Sequence, residues 1–73
     1  MPALADLLKE VRGDLRSRAI VPEAQLWQDA IDEDLRVLLA QRKYRQAKTR
    51  LLKSLGAEEL VPELVGSANG ESA

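Results

Sequence analysis

Residues 22–56 read PEAQLWQDAIDEDLRVLLAQRKYRQAKTRLLKSLG, and the way this stretch divides decides the fold. Pro22 opens it, Gly56 closes it, and neither Gly nor Pro falls between them. Proline suits a first helical turn, and glycine readily takes the left-handed conformation just past a helix end. On those signals alone the stretch is one helix, about 50 Å long at 1.5 Å rise per residue. Charge placement agrees. Glu23, Asp29, Asp32, Glu33 and Asp34 come first with no basic residue among them, whereas Arg36, Arg42, Lys43, Arg45, Lys48, Arg50 and Lys53 follow with no acid. This polarity complements a helix dipole, most strongly in the first and last turns.

Apolar phase argues for a division. At about 100° per residue, Trp27, Ile31, Leu35, Leu38 and Leu39 form one stripe. Val37, Ala40, Tyr44, Ala47, Leu51 and Leu55 form a second on nearly the opposite side. Either the chain breaks around Gln41 to Lys43 and builds a three-helix domain, or one long helix packs in an antiparallel hairpin and leaves its second stripe free. Continuity is the favoured expectation, and the second stripe is then a partner-binding face.

Upstream, Leu4, Leu7, Leu8, Val11 and Leu15 mark one face of a helix from Pro2 to about Arg18, with Gly13 weakening it by about 1 kcal/mol relative to Ala. Pro22 disfavours helical backbone at Val21, so a boundary belongs there. Downstream, AEELVPELV at 57–65 has the composition of one or two helical turns able to cover a neighbour, and 67–73 read as a polar, disordered tail. The expectation is a single all-α domain over 1–66.

A chain of 73 residues without Cys or His has neither disulfides nor the usual metal ligands to reinforce a thin core. Helix packing, self-association or a partner must supply the stability. The same absences argue against catalysis, which wants a positioned base or an activated nucleophile. No cofactor, metal or small-molecule substrate is expected. The acidic cluster Asp29, Asp32, Glu33 and Asp34 lacks the alternating oxygen ligands and turn glycine of a calcium loop and reads as a solvated helix segment. No apolar run approaches the roughly 18 residues of a membrane span, and the N-terminus lacks a secretory pattern, so a cytoplasmic protein is expected.

RKYRQAKTRLLK, residues 42–53, is the strongest local signal. Its cations Arg42, Lys43, Arg45, Lys48, Arg50 and Lys53 surround the Tyr44, Ala47, Leu51 stripe. As a basic rim they steer a docking face towards an acidic protein; as a nucleic-acid contact they neutralise phosphates. A formal net charge of -1 argues against general nucleic-acid coating. The expected function is therefore a non-catalytic adaptor or regulator docking on a larger protein. Small bacterial or phage modulators of machines such as RNA polymerase share this size and chemistry, an analogy of scale and not of motif. The alternatives are a nucleic-acid-binding regulator using the basic segment and a self-assembling structural protein whose partner is another copy.

Overall fold

The computed structural model describes residues 3–66. Four α-helices follow one another: α1 (Ala3–Arg16), α2 (Ala24–Ala30), α3 (Glu33–Ala40) and α4 (Tyr44–Ser54). A 3-10 turn at Glu58–Leu60 and a π turn at Pro62–Gly66 complete the described chain, and no strand occurs among the described residues. The all-α domain with a short C-terminal helical segment is as expected. The continuous helix from Pro22 to Leu55 is not, because that stretch divides twice. The expected tail at 67–73 lies outside the described residues.

The first division is made by a cap. Asp32 has extended backbone, φ -112° and ψ -176°, and its carboxylate accepts the Leu35 N–H at 2.9 Å. That side chain satisfies one of the donors left free at the start of a helix, and Glu33 and Asp34 in the first turn add charge of the favourable sign. Three of the four acidic residues are thus a helix start rather than the middle of a solvated helix.

The second division is a Schellman turn. Lys43 N–H donates to the Leu38 carbonyl at 2.9 Å, Arg42 N–H donates to Leu39 at 3.0 Å, and Arg42 takes φ 60°. The pattern recurs at the ends of α1 and α4. After α1, Ile20 donates to Leu15 and Ala19 to Arg16, with Ala19 at φ 60°. After α4, Ala57 donates to Leu52 and Gly56 to Lys53, with Gly56 at φ 79°. Only this last turn has glycine in the left-handed position, where a side chain costs about 1 kcal/mol or more. Arg42→Gly should therefore raise the unfolding free energy by about 0.5–1 kcal/mol, while Gly56→Ala lowers it by about 1 kcal/mol. Paired urea titrations check both signs, and destabilisation by Arg42→Gly would mean that the turn is held by contacts of the Arg42 side chain instead.

The 41–43 break resolves the conflict between the two apolar stripes. It lets the chain fold back, so that Leu35 and Leu39 of α3 and Ala47, Leu51 and Leu52 of α4 all turn into one core. α4 is the central element, contacted by α1, α2, α3 and the 3-10 turn. Leu7, Val11 and Leu15 of α1, Ala30 of α2, and Leu55 and Ala57 beyond α4 complete the buried set. Trp27 packs half-buried at its margin, with the Arg12 guanidinium 5.0 Å from the ring centroid. This is a cation–π distance.

Candidate functional site: the outer face of helix α4

The predicted partner stripe is taken apart by this fold. Ala47, Leu51 and Leu55 are core residues, at most 5% exposed, and do not form a free face. The reason is the turn at Arg42, which rotates α4 relative to α3 so that the extrapolated outer stripe points inward. Val37 and Ala40 do lie outward on α3, and Tyr44 is 45% exposed at the start of α4. Tyr44 stands at the end of the buried arc, where the core runs out, beside Leu7, Glu10 and Leu64.

The six cations also separate into two groups. Lys48 is 9% exposed and its Nζ meets Glu10 Oε2 at 2.5 Å, Asp14 Oδ2 at 3.1 Å and the Leu64 carbonyl at 3.1 Å. An ammonium has three donors, and all three are used. Burial alone pushes the Lys48 amine down, but the hydrogen bonds to Glu10 and Asp14 outweigh it and hold the amine above its ordinary 10.5. Lys48 thereby ties α1, α4 and the C-terminal turn together. A second tie, Arg18 to Glu63 at 2.5 Å, fastens the same turn.

Arg50 is engaged as well. Its Nη2 reaches Asp32 at 2.7 Å and Asp34 at 3.3 Å, joining α4 to the start of α3, while its buried Nε–H lacks a partner among the described residues. The hydrogen bond from Arg50 to Asp32, aided by the Leu35 amide, holds the Asp32 carboxyl below its ordinary 3.8. The same bond raises Arg50. The segregation of acids and bases along the sequence thus serves an ion pair across the α3–α4 fold-back more than a long helix dipole.

Arg42, Lys43, Arg45 and Lys53 are exposed and make no ion pair among the described residues. Two of them border a shallow groove of about 590 Å³ that runs over the outer face of α4. Its apolar walls are Leu38 from α3 and Val61, Pro62 and Val65 from the C-terminal turns. Its floor carries the cations Arg45, Arg50 and Lys53 between Gln46, Thr49 and Ser54, and no acid lines it. The walls were hard to foresee. Val61 and Val65 belong to a segment legible only as helical turns able to cover a neighbour, and which helix they flank depends on where Gly56 turns the chain.

A smaller depression of about 220 Å³ lies between Trp27, Arg12, Ile20 and Pro22, with Val21 80% exposed at its edge. Among the described residues no group of three or more His, Cys, Asp or Glu is placed to hold a metal ion, and no helix is long and apolar enough to cross a membrane. Comparison of the chain with protein-family models, with curated proteins and with solved structures finds no match.

Proposed function

We propose that this protein is a non-catalytic docking module that binds a larger protein through the groove on α4 and the exposed residues beside it, acting as an adaptor or regulator in the cytoplasm. The observation that carries the reading is the groove itself, which combines apolar walls with a cationic, acid-free floor on a domain of only 8.1 kDa. Apolar area contributes affinity to such a surface, and rim charge contributes selectivity and encounter rate. Arg42, Lys43, Val37 and Ala40 extend the exposed surface around the α3–α4 turn.

Nucleic-acid binding is the weaker reading for a physical reason. Lys48 and Arg50, two of the six cations it needs, are already matched by carboxylates of the same chain. Apolar walls have no counterpart in a phosphate backbone. Self-assembly would require the exposed Tyr44 and Val37 to meet a second copy, so Tyr44→Asp should then lower the mass measured by sedimentation.

The test is affinity capture from source-cell lysate at near-physiological salt, with and without nuclease, using the natural chain and Arg45→Glu/Lys53→Glu. A defined protein complex that survives nuclease and is lost with the charge-reversed variant is the expected result. Recovery that vanishes with nuclease would overturn the reading in favour of nucleic acid.

A further inference from the structure

We propose that the occupant of the α4 groove is an acidic amphipathic helix of the partner, with two carboxylates about two helical turns apart on either side of an aliphatic residue. The inference rests on the docking reading and specifies its chemistry. Charge comes first. Of the three cations on the floor, Arg50 is neutralised by Asp32 and Asp34, which leaves Arg45 and Lys53 as the unmatched pair among the described residues.

Geometry comes next. Arg45, Thr49 and Lys53 follow one another at i, i+4 and i+8 and so form a single stripe along α4. At 1.5 Å per residue, the two cations are separated by about 12 Å of helix rise. A partner helix lying along the stripe meets them with acids seven or eight residues apart. Its intervening turn then lies over Thr49, a small side chain, between the apolar walls formed by Leu38 and by Val61 and Val65.

A helix suits the site better than an extended strand. The described residues present no sheet edge whose backbone groups a strand could pair with, so an extended peptide would leave its own amides without ladder partners. A helix satisfies its backbone internally and offers the groove side chains only. Duplex nucleic acid fits poorly as well, because it carries one charge per roughly 1.7 Å of axis against two unmatched cations about 12 Å apart.

The experiment is selection from a random peptide display library on the immobilised full chain, followed by amide-resolved NMR titration of the selected peptides. Expected are peptides with Asp or Glu seven or eight positions apart around Leu, Ile or Val, which gain helicity on binding and move the Arg45, Thr49 and Lys53 resonances. Arg45→Glu/Lys53→Glu, at exposed positions where folding is checked by circular dichroism, should weaken them about tenfold or more. Basic or purely apolar peptides that map to the groove would overturn the acidic assignment while leaving the docking reading intact. Absence of any groove-binding peptide, together with lysate capture indifferent to the charge reversal, would remove both. Groove resonances that move on dilution would give the site to a second copy, and movement on ending the chain at Gly66 would give it to residues 67–73. Either result overturns the proposal.

Discussion

Leu51→Ala is expected to lower the free energy of unfolding by about 3 kcal/mol, whereas Val37→Ala should change it by no more than about 0.5 kcal/mol. Both residues fall on the same stripe of the sequence, so the contrast comes from the tertiary structure alone. Leu51 is fully buried on the central helix, and truncation there removes its transfer free energy and opens a cavity that the surrounding core can only partly close. Val37 is 41% exposed on the outer side of α3, and its truncation leaves no cavity. A domain of this size has roughly 0.05–0.15 kcal/mol of stability per residue, so the loss at Leu51 is a large share of the whole. Urea unfolding followed by Trp27 fluorescence and by far-ultraviolet circular dichroism measures both. Equal, small losses would mean that Leu51 faces solvent and that α3 and α4 are one helix after all.

The second large effect is expected at Lys48. Lys48→Glu should cost about 3 kcal/mol or more, because it places a third carboxylate against Glu10 and Asp14 and removes the donor to the Leu64 carbonyl. Lys48→Met should cost only about 1 kcal/mol. The methionine fills the same space, and the Glu10 and Asp14 side chains, 58% and 32% exposed, can return to water. The pH dependence separates charge from packing. A lysine whose amine is raised on folding contributes stability that is fully present below the unfolded value, near 10.5, and is lost as pH rises through the higher folded value. The natural chain should therefore lose stability above about pH 10.5 more steeply than Lys48→Met. Identical alkaline limbs would show that the ammonium contributes nothing at this position. Because Lys48 also holds Leu64, loosening it should free the C-terminal turn, whose Val61 and Val65 wall the groove.

Much of the architecture was legible before any tertiary information. Leu7, Val11 and Leu15 repeat at helical spacing and are buried together, and Gly56 ends α4 as its residue type implied. The Trp27, Ile31, Leu35, Leu38, Leu39 stripe turns towards the core along its length. The candidate site was less legible. Arg45 and Lys53 were among the basic residues singled out and do border the groove, but Lys48 and Arg50, identical in residue type and only a few positions away, do not remain free. Their partners lie 38 and 18 residues away, a separation that no local pattern encodes. Asp32 could have been read as a cap from its place before Glu33, Asp34 and Leu35, but an uninterrupted run of helix formers argued against a start there.

The sequence by itself determined that the chain is all-α, which residues can enter a core, and where the first and last turns fall, because these follow from side-chain periodicity and from local proline and glycine chemistry. Only the tertiary structure decided that Pro22 to Leu55 is three helices. The turn at Arg42 puts a side chain in a left-handed conformation that costs about 1 kcal/mol locally, and the burial of Leu51, Leu52 and Leu55 against α1 and α3 offsets it. The same fold-back converts an apparent binding stripe into core and leaves the basic outer face of α4, flanked by the returning C-terminal turns, as the surface open to a partner.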